Sequence, residues 1–170
     1  MNASPTPTRS TRSTRSAPSA SSAQAQPAVE QVDTTFLESL LGYNARRASL
    51  AVISVFLERM APYGLRPVDF SVLSLVAHNP GITSRQLCGS LALLPPNVVG
   101  LLNTLEKRDL IARQPHPRDR RAMGLHLTTA GQKLMRDAER TAAQLEAEVA
   151  AKLTPAELRT LLKLLKKVYA

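Results

Sequence analysis

Between positions 113 and 121 the chain gathers Arg113, His116, Arg118, Arg120 and Arg121, with Asp119 the single acid among them. Like charges this close repel, so the loop costs least where it lies against phosphates or in a narrow minor groove, whose negative potential attracts arginine. A solvated basic loop without a partner is the competing reading, and a charge run taken alone favours it. What precedes the loop shifts the balance. Thr83-Ser84-Arg85-Gln86 has the spacing of a capping box and opens a short helix through Leu87 to Leu91. Leu94-Pro95-Pro96-Asn97 starts another, with Val98, Leu101, Leu102 and Leu105 as its inward stripe. Two short helices joined by a tight connection read as a helix-turn-helix, and a basic loop directly behind one reads as a nucleic-acid contact.

Other polar residues fit the same partner. Ser84 and Arg85 open a helix whose first N–H groups can hold a phosphate. Thr104, Lys107 and Arg108 are further phosphate candidates along the second helix. At its start, beside Pro96, the Asn97 amide can bond adenine in a bidentate way or cap the helix, and the sequence leaves both readings open. A second constellation sits upstream, where Tyr43, Arg46 and Arg47 lie among apolar residues and His78 ends the following helix. A guanidinium matches a carboxylate bidentately, so an arginine beside Tyr and His can hold a carboxylate or phenolate. The alternative is that these arginines pair with Asp33, Glu38 or Glu58, or face water.

Catalytic and metal chemistry find no support. His78, His116 and His126 are far apart and lack ligand spacing with Cys or acids. There is no Gly-rich phosphate loop, nucleophile elbow or His-Glu-x-x-His. The expectation is a protein that is not an enzyme, with no cofactor and no metal.

The elements that position these residues are mostly helical. Aromatic content is 4% with no Trp, and the apolar residues are chiefly Leu, Val and Ala, a mix that favours helices over a β-sandwich. From Thr35, with Glu38 at capping-box spacing, apolar residues recur at helical spacing to Pro62, predicting one long helix. Tyr63-Gly64-Leu65-Arg66-Pro67 breaks it, and a second helix runs to His78. After Asp109 the period changes. Leu110–Arg113 and Gly124–Leu127 are strand-like runs flanking the polar loop 114–121, which is the order of a wing. Thr128 then caps a long helix with Gly131 near its start, where the missing side chain permits a close backbone approach. Thr154-Pro155-Ala156-Glu157 opens the last helix. Its Leu158, Leu161, Leu162, Leu164, Leu165 and Val168 make a face too apolar to stay wet, so a second copy should cover it.

The 170 residues carry a net charge of +9 and a pI near 10.4, which points to a polyanionic partner, nucleic acid ahead of membrane. No apolar stretch nears the roughly 20 residues of a membrane span. A single Cys and no hydrophobic leader fit a reducing, cytoplasmic setting. Residues 1–32 are Ser, Thr, Pro and Ala with arginines at 9, 12 and 15. Such a segment buries too little to offset its chain entropy and is expected to be a disordered tail. A solubilising role is favoured over a phosphate contact on composition.

The run Leu105-Glu106-Lys107-Arg108-Asp109-Leu110-Ile111, then Asp119-Arg120-Arg121, then Leu127-Thr128-Thr129-Ala130-Gly131, resembles the MarR family. The resemblance covers residues 33 to the C-terminus. It implies a mainly α fold with a small β wing, a winged helix-turn-helix over 67–127 flanked by dimerisation helices at 33–62 and 128–170. It also implies a homodimer on a palindromic DNA operator, often released by a small anionic aromatic effector. Arg121 would then enter the minor groove with Asp119 holding its guanidinium, and the effector would sit where dimer helices meet the DNA-binding lobe. Asp109 stands where this pattern has Gly, a place Asp tolerates better than most residues. Val99 and Gly100 stand where a Thr and a base-contacting Arg are frequent, so the operator cannot be borrowed from relatives. Cys88 stands where relatives tend to have Ala, and no Cys occupies the peroxide-sensing position, so redox sensing is not expected. Two other classes remain: a non-specific nucleoid-type DNA binder, and a helical dimerisation module whose basic wing binds an acidic protein.

Overall fold

The computed structural model describes residues 31–116 and 119–169, the side chains of His116 and of residues 119–121 apart. Residues 1–30 of the tail expected over 1–32, and the candidate Arg118, lie outside the described residues. Residues from Thr35 onward form one compact unit. Among the described residues no single helix is long and apolar enough to cross a membrane.

The predicted first helix is two. α1 (Thr35–Glu38) and α2 (Leu41–Met60) are separated at Ser39 and Leu40. Side chains compete with the helix ladder there. The Ser39 hydroxyl donates to the Phe36 carbonyl at 2.7 Å, and the Asn44 amide donates to the carbonyls of Glu38 and Leu40 at 2.7 and 2.8 Å. α2 passes into a 3-10 turn, Ala61–Tyr63, closed by Gly64 at φ 58°. α3 (Pro67–His78) begins with Pro67 in its first turn, as expected from the sequence.

A two-residue strand, β1 (Ile82–Thr83), leads into α4 (Ser84–Leu91) and α5 (Pro95–Lys107). The capping box that opens α4 is present: the Thr83 hydroxyl accepts from the Gln86 N–H, and the Gln86 side chain accepts from the Thr83 N–H. β2 (Ile111–His116) and β3 (Asp119–Leu127) form an antiparallel ribbon, and β1 joins the far edge of β3 to give the order β1-β3-β2. The strands outrun the sequence expectation, since residues expected in the loop continue the ladder, with a register shift at Pro115/His116. β1 was missed because two residues carry no readable period; Ile82 opposite Leu125 and Thr83 opposite Gly124 hold it. α6 (Thr129–Val149) and α7 (Pro155–Tyr169) complete the chain.

The core lies where α3, α4, α5, α6 and the sheet converge, around Val72, Leu73, Leu87, Val98, Leu102, Leu105, Ile111, Leu125 and Met135. Phe56 of α2 packs edge-on against Phe70 of α3 with ring centroids 5.7 Å apart. α1 and α7 bury no residue in the single chain. Apolar side chains stay exposed on these elements, among them Phe36 at 75%, Leu161, Leu162, Leu164 and Val168 at 64%, and on α2 at Leu41.

Glycines separate close packing from open surface. A Cβ at Gly131 would run into the carbonyl of Leu110, whereas one at Gly89 meets nothing within 4 Å. Gly131→Ala is therefore expected to cost about 3 kcal/mol, at the upper end for overpacking. Gly89→Ala should gain about 0.5–1 kcal/mol from helix propensity. Urea denaturation of the two variants checks the opposite signs, and equal stabilities would show that α6 does not sit so close to Leu110.

Candidate nucleic-acid interface

α4 and α5 are joined by Ala92, Leu93 and Leu94 and bend by 116° between them, inside the range of helix-turn-helix pairs. The turn is made by Ala92 in the left-handed region at φ 51°, with its N–H on the Cys88 carbonyl. Val98, Leu101, Leu102 and Leu105 bury one side of α5, and the opposite side is exposed at Pro96, Asn97, Val99, Gly100, Asn103 and Thr104. The cap of α5 is Leu94, without a side-chain hydrogen bond. Asn97, one of the two roles left open by the sequence, does not cap this helix; its backbone N–H bonds the Leu94 carbonyl at 3.0 Å and its side chain is exposed.

A groove of about 630 Å³ runs along this face between α3 and α5, lined by Arg66, Pro96, Asn97, Gly100 and Thr104 among others. The Thr104 hydroxyl donates back to the Gly100 carbonyl at 3.0 Å, and Lys107 is exposed in the last turn. Ser84 and Arg85 are exposed in the first turn of α4, where helix geometry leaves N–H groups without an intrahelical acceptor. A second cleft, about 400 Å³, lies between that turn and the ribbon and is lined by Ser84, Arg85, Arg113 and Met123. Backbone at positions 119–121 belongs to β3, and the side chains of Asp119, Arg120 and Arg121 lie outside the described residues.

Besides Thr104, two candidates have partners within the chain. Arg113 donates to the Asn103 Oδ1 at 2.7 Å and pairs with Glu106 at 3.2 Å, tying β2 to α5. Asn103 was missed by sequence reasoning. Its signal was a polar residue four positions after Val99 on the side of α5 opposite the leucines. Arg108, read as a phosphate contact, donates Nη1 to the Gly64 carbonyl and Nη2 to the Tyr63 carbonyl, each at 2.9 Å.

The proposed effector residues are not gathered within one chain. Tyr43 is half-buried and Arg46 and Arg47 are exposed on α2. His78 meets α6 instead, with Nε2 3.0 Å from Glu139 Oε1, which also accepts from Ser74. Beside that pair lies a cleft of about 290 Å³ lined by His126, Gln132, Arg136 and Glu139 over Val76 and Met135.

The MarR family model matches residues 63–122. A protein named as a transcriptional regulatory protein for the hcr operon of Thauera aromatica is 31% identical over 130 residues, 76% of this chain and 78% of its own length. The chain belongs to the MarR family. Among solved structures, the transcriptional repressor CouR bound to a 23-mer DNA duplex matches with a TM-score of 0.78 and 35% identity over 82% of this chain and 99% of that one. CouR from Rhodococcus jostii RHA1 bound to p-coumaroyl-CoA matches with a TM-score of 0.72 and 26% identity, over 78% and 93%. As a MarR-family member the chain is a winged helix-turn-helix transcriptional regulator, in which α5 takes the place of the recognition helix and β2–β3 that of the wing. Its homologues are regulators of transcription, not enzymes.

One buried charge supports this lobe. Asp69, 3% exposed, accepts from the Arg66 N–H at 3.0 Å and from Arg66 Nε and Nη2 at 2.9 Å each. Burial pushes its carboxyl up, but the Arg66 hydrogen bonds and the charges of Arg66 and Arg108 outweigh this and hold it below the usual carboxylate range. A depressed folded value means that the stabilisation is complete above the unfolded value, about 3.9, and is lost as pH falls through the folded one. Asp69→Asn should cost about 1–3 kcal/mol at pH 7, with the gap from wild type narrowing in acid. Urea melts across this range test it; a gap that stays constant with pH would assign the loss to shape instead of charge.

Proposed function

We propose that this regulator is a homodimeric, sequence-specific repressor that leaves its operator when a small aromatic acid, free or as its coenzyme A thioester, binds. The observation that carries the DNA step is the outward face of α5, solvent-exposed along its length and flanked by a basic two-stranded ribbon. A helix of this kind fits the major groove, about 12 Å wide, while lysines and arginines on phosphates supply most of the affinity. Asn97, an exposed amide in the first turn of that face, is the candidate for reading adenine, and Ser84, Arg85, Thr104 and Lys107 are the positioning contacts. Arg118, Arg120 and Arg121 serve the adjacent minor groove, with Asp119 orienting Arg121.

A dimer follows from the apolar surface of α1, α2 and α7, which a single chain leaves wet. Two-fold symmetry would place the two recognition helices in successive major grooves about 34–36 Å apart, so that the operator is an approximate palindrome. The effector reading draws support from the aromatic thioester bound by the neighbour CouR. Tyr43, Arg46, Arg47 and His78 could join in one site only across the dimer or after a change in lobe position. Release then reflects unequal affinity of the effector for two conformers.

Fluorescence anisotropy with labelled DNA from upstream of the protein's own gene tests the DNA step, with a scrambled duplex and a salt series alongside. A preference of at least about a hundredfold over the scrambled duplex is expected, given that specific readers reach ratios of 10³ or more. Equal binding would select the nucleoid-type reading, and no binding at low salt would remove DNA from the picture in favour of an acidic protein partner. Aromatic acids and their thioesters are then screened for release. The interface has its own test. Leu161→Asp combined with Leu165→Asp should give a monomer in sedimentation equilibrium, and a variant that stays dimeric would refute the α7 contact.

A further inference from the structure

The MarR-type assignment leaves Arg108 without a role, and the structure supplies one. Arg108 is the first residue after α5, and its guanidinium reaches back to the turn that ends α2, where it holds two successive carbonyls, those of Tyr63 and Gly64. That turn is gripped from the other side as well. The Tyr63 hydroxyl lies 2.8 Å from Thr141 Oγ1 and donates to the Asp137 carbonyl at 3.4 Å, both on α6. One residue pair, Tyr63 and Gly64, in the turn that continues α2, is thus bonded to α6 on one side and to the end of the recognition helix on the other. We infer that Arg108 is a positioning residue for operator reading: it couples the recognition helix to the α2–α6 lobe and acts on DNA through the orientation of α5, not through phosphate. The inference rests on the DNA-binding reading above.

The chemistry suits that task. A guanidinium is a rigid planar fork, and two parallel N–H groups on neighbouring carbonyls fix direction as well as distance. An ammonium is a single point and can hold one carbonyl at a time without fixing the angle. Gly64 supports the turn through its left-handed backbone at φ 58°, which favours glycine. Buried Asp69 adds a negative charge near the guanidinium. Leverage makes the contact matter. From Arg108 to Asn97 is 11 residues of helix, about 16 Å, so a tilt of about 10° at the fixed end carries Asn97 about 3 Å, a whole hydrogen-bond length.

The test compares full-length wild type, Arg108→Ala, Arg108→Lys and Tyr63→Phe on the operator duplex and its scrambled form across a salt series. With Arg108 as a positioning residue, Arg108→Ala loses about tenfold or more on the operator and under about twofold on the scrambled duplex, and its salt slope is unchanged. Arg108→Lys fails to rescue. Tyr63→Phe and Arg108→Ala then fall short of additivity in the double variant, as coupled residues do. A phosphate contact predicts the reverse: uniform loss on both duplexes, a slope shallower by about 0.9, and rescue by Lys. That pattern overturns the inference. A DNA-independent readout separates it from the functional reading. Amide exchange at residues 105–110 should accelerate at least about tenfold in Arg108→Ala and in Arg108→Lys. Unchanged exchange overturns the inference whatever the DNA result, while accelerated exchange with no operator preference in the wild type faults the functional reading alone. Should Arg108→Ala not fold, Arg108→Lys carries both readouts.

Discussion

The end of the recognition helix must stop within three residues and hand the chain to the wing, and the packing of the DNA-binding lobe depends on how that stop is made. Asp109 takes the left-handed backbone at φ 55°, with its N–H on the Glu106 carbonyl. Leu110 follows, buried, with its N–H on the Leu105 carbonyl. The start of α6 then closes over both residues. Thr128 donates its hydroxyl to the Asp109 carbonyl and its N–H to the Leu110 carbonyl, while its oxygen caps the Gly131 N–H. Gly131 is what lets α6 come so close, because any side chain there would strike Leu110. Arg108 secures the same helix end to the turn after α2. Three consecutive residues therefore bind the recognition helix to the turn after α2 and to the start of α6.

Much of this was legible because it is local. Thr83 and Gln86 announce the start of α4 by spacing alone, and Pro67 and Pro95 announce α3 and α5. The left-handed stop at Asp109 and the close approach at Gly131 were readable because each has one backbone reason behind one residue type. What the sequence hid is what depends on distant partners. Arg108 looks like any exposed cation at a helix end, and nothing local says that its acceptors lie 44 and 45 residues earlier. Asn103 is likewise visible only once Arg113 of β2 is placed against it. β1 exists because β3 offers it an edge, and the break at Ser39 depends on an amide five residues on competing for helix carbonyls.

The exposed apolar surface and the polar reading face have a common origin in side-chain allocation. The helices of the DNA-binding lobe bury leucines and valines inside one chain, whereas the leucine-rich face of α7 has no buried residue among the described residues. Covering that face with a second copy is strongly favoured, since burying each leucine contributes roughly 1.5–3 kcal/mol. The two lobes would then differ in kind. One buries its core within the chain, and the other leaves apolar surface for a second copy.

The composition of the recognition face also constrains how such a repressor distinguishes sequences. Pro96, Val99 and Gly100 bring no hydrogen-bond donor to the groove, and the Thr104 hydroxyl already donates to the Gly100 carbonyl. Asn103 has its oxygen occupied by Arg113, so its amide nitrogen is the donor it has left to offer. On the proposed function, direct readout would have few hands: the amides of Asn97 and Asn103, and apolar contact of Val99 with a thymine methyl. When few bonds carry the discrimination, each depends more heavily on exact placement, and the value of holding α5 rigid rises. A helix bearing several arginines tolerates small tilts because long flexible side chains follow the bases. One bearing short amides and a valine does not, which is why the rigid attachment of its far end belongs to the recognition chemistry as much as the exposed face does.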